Sequence, residues 1–79
     1  MQIRLKILSP EAQIKDEMVD YVRFETDSGS FGVMKSHVPV AAHLRKSTIM
    51  YLKGSSKETY DIEGGFVRVL PDEVTVFID

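Results

Sequence analysis

The feature that most constrains this chain is alternation with a period of two, repeated in short runs that turn residues cut off. Ile3, Leu5 and Ile7 fall on one side of an extended segment, with Gln2, Arg4 and Lys6 on the other. Successive side chains of a strand point to opposite faces, so this run reads as a half-buried strand. Ser9-Pro10-Glu11 then turns the chain, because proline cannot donate to a central ladder. A short strand over residues 12–15 is expected to pair back across that turn. The run 18–25 is apolar except for Asp20 and Arg23, and no single face collects its apolar residues. That predicts one strand carrying a bulge. Asp27-Ser28-Gly29-Ser30 reads as a loop. Residues 31–34 read as a short apolar strand, in which Gly32 marks a bulge or a close approach of backbone.

The second half continues in the same way. Residues 38–44 hold Pro39 near their start and read as extended, although 41–45 have the propensity for one helical turn. Residues 48–53 are β-branched and aromatic, Gly54-Ser55-Ser56 is a hairpin turn, and 57–63 alternate cleanly. Gly64-Gly65 breaks or kinks the strand, 66–70 resume it, Pro71-Asp72 turns, and 73–78 close. Nine or so short strands with no amphipathic helix predict an all-β fold, a sandwich or flattened barrel formed as one domain over residues 1–79.

Composition narrows the function classes. A chain of 79 residues builds one small core, burying roughly 60–65% of the surface its unfolded form exposes. It has no cysteine, hence no disulfide framework, thiolate zinc site or cysteine nucleophile. A net charge of −2 argues against nucleic acid, whose binders carry a positive excess. No segment approaches the ~20 apolar residues of a membrane span, and the alternating N-terminus lacks the apolar stretch of a signal peptide.

Little supports catalysis. Ser36 and His37 are adjacent, and adjacent strand residues face apart, so a nucleophile pair is not expected. His37 and His43 lie ~20 Å apart along an extended segment, too far to share a metal. The carboxylate pairs Asp16-Glu17 and Asp72-Glu73 fall at predicted turns, where solvated acids are normal. Gly64-Gly65 has neither the helix nor the Lys-Ser/Thr of a phosphate loop. No catalytic residue, cofactor or metal site is assigned.

Charge is uneven along the chain. Residues 11–27 hold six acids and two bases, 28–57 hold five bases and no acid, and 58–79 hold six acids and one base. The basic middle also contains the apolar run 38–44. Two readings stand: a protein-contact surface, or strands that bring acid and base together and neutralise them.

Two stretches resemble a known family. Gly29-Ser-Phe-Gly-Val-Met-Lys-Ser-His-Val-Pro39, followed by Ala42 and Leu44, is similar to the signature of the epsilon subunit of rotary F-type ATP synthases. So is Gly64-Gly65-Phe66-Val67-x-Val69 with Glu73-Val74-Thr75-Val76, and the opening Leu5 to Glu11 matches the family's strand running into Ser-Pro-Glu. Together these span nearly the whole chain in family order. Lys35-Ser36 and Lys46-Ser47 stand where the family has Pro-Gly, which marks a divergent branch such as the alternate sodium- or proton-pumping form.

The resemblance implies a sandwich of about ten strands, seated in the central stalk and non-catalytic, with no cofactor. It implies a gamma-subunit face of Ser9, His37, Val38, Pro39, Ala42 and His43. It implies a contact to the c-ring through Asp27, Ser28, Gly29 and Ser30, where serines stand in place of the family's frequent Glu. It also implies a bacterial, peripheral position at the cytoplasmic face of the inner membrane, and a monomer in isolation. The chain stops at Asp79, where the family's sandwich ends, so the inhibitory C-terminal helical domain is expected to be absent. A different class, a free-standing sandwich binding peptide or sugar, would need a concave patch of exposed aromatics.

Overall fold

A computed structural model describes residues 1–79 as nine strands and no helix. They are β1 (Ile3–Leu8), β2 (Gln13–Val19), β3 (Tyr21–Thr26), β4 (Gly29–Val33), β5 (Val40–Leu44), β6 (Ser47–Lys53), β7 (Ser56–Ile62), β8 (Gly65–Val69) and β9 (Glu73–Ile78). The strand order is β2-β1-β9-β8-β5-β3-β6-β7, with β4 paired to β3. Every pairing is antiparallel except β1 with β9.

The sheet doubles back on itself. One layer is β2-β1-β9-β8-β5 and the other is β4-β3-β6-β7, and the strand pairing that joins them is Thr26 with Leu44. The chain changes layer four times, after β2, β4, β5 and β7. The alternation explains what fills the space between. Ile3, Leu5 and Ile7 of β1 meet Val74 and Val76 of β9 and Val67 and Val69 of β8 on one side. Val22 and Phe24 of β3, Val33 of β4, and Ile49 and Tyr51 of β6 complete the same buried cluster from the other.

Two segments differ from expectation. The run 18–25 is not one bulged strand: β2 ends at Val19, and Asp20 carries the chain into the other layer. The Asp20 amide donates to the Leu52 carbonyl (2.8 Å), and its carboxylate accepts from the Gly54 amide (2.8 Å). Apolar residues on both sides of Asp20 face the core, which is why no single face collected them. The expected loop 27–30 is also shorter. Only Asp27 and Ser28 turn, because Gly29 and Ser30 already pair with Thr26 and Glu25.

The far side of the fold lacks backbone pairing and is closed by side chains. Tyr51 is buried, and its hydroxyl donates to Glu17 Oε2 (3.1 Å); Lys53 Nζ reaches Glu17 Oε1 (2.6 Å). Glu17 thus ties β2 of one layer to β6 of the other. The Lys53 hydrogen bond, opposed by burial and then aided by the Tyr51 hydroxyl, holds the Glu17 carboxyl below the usual carboxylate range. Burial, followed by the hydrogen bond to Glu17 and then the Glu17 charge, pushes the Tyr51 phenol up to about 12. A depressed carboxyl pKa gives stability at neutral pH that is lost as pH falls through the folded value. A raised phenol pKa gives stability that is lost as pH rises through 10 toward 12. Glu17→Gln is therefore expected to flatten the acid limb of the pH–stability curve, and Tyr51→Phe the alkaline limb, in chemical denaturation. Glu17→Ala, which leaves the buried hydroxyl without its acceptor, should cost about 1–3 kcal/mol.

Two glycines are fixed by contact. At Gly65 (φ 155°) an added Cβ would lie 2.2 Å from the Phe77 carbonyl oxygen, which is backbone and cannot yield. At Gly32 the obstacle at 2.2 Å is the Tyr21 hydroxyl, the end of a half-exposed ring that can swing outward. Gly65→Ala should cost about 2–4 kcal/mol, lowering the melting temperature by roughly 10 °C or more. Gly32→Ala should cost about 1 kcal/mol or less. Thermal unfolding of the two variants checks the contrast.

Candidate functional site

The outer face of the β1-β9-β8-β5 layer carries a row of residues in cross-strand register. His43 pairs with Phe66, Phe66 with Phe77, and Phe77 with Leu8. Paired residues share a face, so the four side chains stand side by side toward solvent. Phe66 and Phe77 remain 41% and 40% exposed, with ring centroids 6.4 Å apart at 38°. The sequence dictates this arrangement. Val67 and Val69 take the core phase of β8, and Val74 and Val76 that of β9, so Phe66 and Phe77 fall on the phase shared with Arg68 and Thr75.

Beside the row lies a shallow open depression of about 630 Å³. Asp27, Arg45, Glu63 and Asp79 set its charged margin, and Phe66 and Phe77 its apolar wall. Arg45 is engaged by Glu25 at 3.8 Å. Its surface offers area, one cation and several carboxylates, with no paired acid and base poised for chemistry. It suits contact with another macromolecule rather than turnover of a small molecule.

The expected partner residues divide around this row. His43 is exposed and belongs to it. Ala42, its neighbour, points the other way and packs against the core, so the two do not share a face. Ser9 closes the β1–β2 turn: its amide donates to the Ala12 carbonyl (2.8 Å) and its Oγ accepts from the Ala12 amide (3.1 Å). His37, Val38 and Pro39 precede β5 at the opposite end of the layer. There the Ser36 amide donates to the Pro71 carbonyl (2.7 Å), His37 Nδ1 lies 2.7 Å from the Val38 carbonyl, and Val38 is 70% exposed. Ser36 takes a left-handed conformation (φ 70°) and so sits in a turn, not in the extended strand assumed for the Ser36-His37 pair. Asp27, assigned to the other partner, lines the same depression as His43. Ser28 closes a tight turn by donating its amide to Thr26 Oγ1 (3.2 Å), Gly29 follows it, and Ser30 Oγ accepts from Arg23 (3.2 Å).

The remaining chemistry-bearing residues are structural. Asp16 and Glu17 sit within β2, not in a turn. Asp16 takes a two-toothed bond from Arg4 (2.8 and 2.6 Å), which lowers its carboxyl pKa, and Glu17 is the cross-layer tie described above. The basic middle of the chain is largely neutralised: Arg45 meets Glu25, Lys46 meets Glu63 and Lys53 meets Glu17. Phe66 and Phe77 were not singled out from sequence. The signal was an aromatic on the polar phase of an alternating strand, in each case next to a core valine.

Comparison with known proteins gives this surface a context. Residues 2–79 match the family model of the beta-sandwich domain of the ATP synthase delta/epsilon chain. An ATP synthase epsilon chain of Alkalihalophilus pseudofirmus is 35% identical over 77 residues, which are 98% of this chain and 58% of the relative. One from Syntrophobacter fumaroxidans is 37% identical over 75 residues, 95% of this chain and 56% of the relative. This chain thus spans a little over half the length of these relatives. Among solved structures, a chain of the Euglena gracilis mitochondrial ATP synthase, in an assembly with its c-ring, superposes with TM-score 0.91. It is 28% identical, covering 98% of this chain and 50% of that one. A chain from the central stalk and c-ring of the Tetrahymena thermophila enzyme shares the fold at TM-score 0.81 with 9% identity, covering 99% of this chain and 63% of that one. The doubled-back sheet, its register and the ordered motifs agree with these matches: this chain belongs to the ATP synthase delta/epsilon family and forms its β-sandwich domain.

Proposed function

We propose that the chain is a non-catalytic rotor subunit of a rotary ATP synthase, held in the central stalk between the gamma subunit and the c-ring. The observation that carries this reading is the exposed Phe66–Phe77 pair beside His43, on a rigid two-layer sheet of a family member. A rotor adapter needs stiffness and contact area. A sandwich supplies the first through strands bonded edge to edge and packed face to face. The second requires on the order of 1,200–2,000 Å² buried in total.

In this reading the gamma subunit covers the outer face of β5, β8 and β9, with His43, Phe66 and Phe77 at its centre. Val38, Pro39 and His37 lie at one margin and Ser9 at the other, while Ala42 supports the strand from beneath. The turn Asp27–Ser28, with Gly29 and Ser30, meets the polar loops of the c-ring, with Ser28 and Ser30 where the family often has Glu. The subunit couples gamma rotation to the ring during proton- or sodium-driven synthesis. It works as a peripheral component at the cytoplasmic face of a bacterial membrane. At low micromolar concentration the free chain is a monomer.

Binding to a purified gamma subunit, measured by calorimetry, tests this. His43→Glu and the pair Phe66→Ser with Phe77→Ser should each weaken binding about tenfold or more. His43→Glu is expected to leave the melting temperature within a few degrees, because that side chain is exposed. Circular dichroism should show the strands intact in the phenylalanine pair, whose rings are more than half covered. Ser28→Lys, at a residue outside the depression beside Phe66 and Phe77, should weaken association with a detergent-solubilised c-ring and leave gamma binding unchanged. Wild-type gamma affinity in both face variants would overturn the assignment. Specific binding of a peptide or oligosaccharide at Phe66 and Phe77, with no gamma binding, would favour a free-standing binding module.

A further inference from the structure

Three strands pair on one side only: β2 and β7 at the ends of the sheet order, and β4, which pairs with β3 alone. Free edges present unpaired backbone groups and are normally guarded by charge. β2 carries Lys15, Asp16 and Glu17, and β7 carries Lys57, Glu58 and Asp61. β4, Gly29-Ser-Phe-Gly-Val33, carries none.

The direction of its backbone groups follows from the turn. Asp27–Ser28 is a two-residue connection between paired Thr26 and Gly29, and such a connection closes on a hydrogen-bonded pair. Alternation then aims the N–H and C=O of Gly29, Phe31 and Val33 at β3, and those of Ser30 and Gly32 at the free edge. The charges that flank this edge are opposite in sign. Asp27 precedes it and Lys35 follows it, and neither forms an ion pair within the chain.

We infer that the β4 edge pairs with the β4 edge of a second copy, antiparallel about a two-fold axis at Phe31. In that register Ser30 and Gly32 of each copy exchange backbone hydrogen bonds with Gly32 and Ser30 of the other. Each Asp27, in the turn that opens β4, then lies at the same end of the joined sheet as the other copy's Lys35, in the turn that follows β4. Sliding by two residues either way sets Asp27 against Val33 or Lys35 against Gly29, and both charges lose their partners. A one-residue slip opposes edge-facing groups with groups already bonded to β3. Charge and hydrogen-bond direction thus select one register, and it is self-complementary, as a two-fold contact must be. The two Phe31 rings become neighbours and extend the Phe24–Phe31 contact, whose centroids lie 5.6 Å apart, across the junction.

The contact is small, well below the area of a stable dimer, so the dissociation constant falls in the range of roughly 0.1–1 mM. The inference does not depend on the stalk reading. If that reading holds, Asp27 and Ser30 belong to both surfaces, and self-pairing is confined to copies not yet assembled.

Sedimentation of the full chain from about 10 μM to about 1 mM, with amide NMR spectra over the same range, tests this. The expected result is a monomer that becomes a dimer at the upper end, with the Ser30 and Gly32 amides shifting and gaining protection from exchange. Asp27→Lys or Lys35→Asp should each weaken association roughly tenfold. The double exchange Asp27→Lys with Lys35→Asp should restore it. Ser30→Pro, which removes an outward-facing donor, should abolish association while circular dichroism shows the strands intact. A chain monomeric at the highest concentration overturns the inference. So does a dimer unaffected by Ser30→Pro, or charge variants that the double exchange fails to rescue.

Discussion

The fold rests on how a nine-stranded sheet closes after doubling back. On one side the backbone does the work through the Thr26–Leu44 pair, and the strands run on around the bend. On the other there is no backbone ladder, and the Glu17 carboxylate stands in for one. The large Tyr51 ring fills the core between the layers, and its hydroxyl cannot be buried without an acceptor. Glu17 is that acceptor, and Lys53 compensates its charge. Glu17 on β2 therefore holds that edge of one layer to β6 of the other.

With the layers fixed, the outer face of β5-β8-β9-β1 is fixed too. Its exposed Phe66 and Phe77 are tolerated because they stand on strands that are paired on both sides and buried beneath. Such strands cannot adjust to hide the rings. An apolar surface on an unyielding sheet loses little binding energy to its own ordering when a partner covers it.

Much of this was legible from residue pattern. Ile3, Leu5 and Ile7, the Lys57–Glu63 alternation and the Gly64-Gly65 break each led to the element found. What stayed hidden needed a second strand to be seen. Glu17 looked like a solvated turn acid because its partners, Tyr51 and Lys53, lie more than thirty residues away. The run around Asp20 looked like a single strand because the layer change is made by one residue whose side-chain partner is Gly54. The candidate face was only half visible. His43 came from a resemblance, whereas Phe66 and Phe77 required the strand phase to be read through to its polar side. The basic middle third drew attention as a partner surface, yet most of its charge is used inside the molecule.

The single parallel pairing has a kinetic consequence. β1 lies between β2 and β9, and its register with β9 joins Leu5 to Val74, nearly opposite ends of the chain. The β1–β2 hairpin can form as soon as residues 3–19 are available, but its second edge stays open until the last strand arrives. Closing so long a loop before any reward in contacts makes this topology slow to fold, in the millisecond-to-second range of β-sandwiches. During synthesis the Ile3, Leu5 and Ile7 face waits uncovered for almost the whole chain. The acids and bases along β2 then serve a second purpose, keeping that half-built sheet soluble until β9 docks.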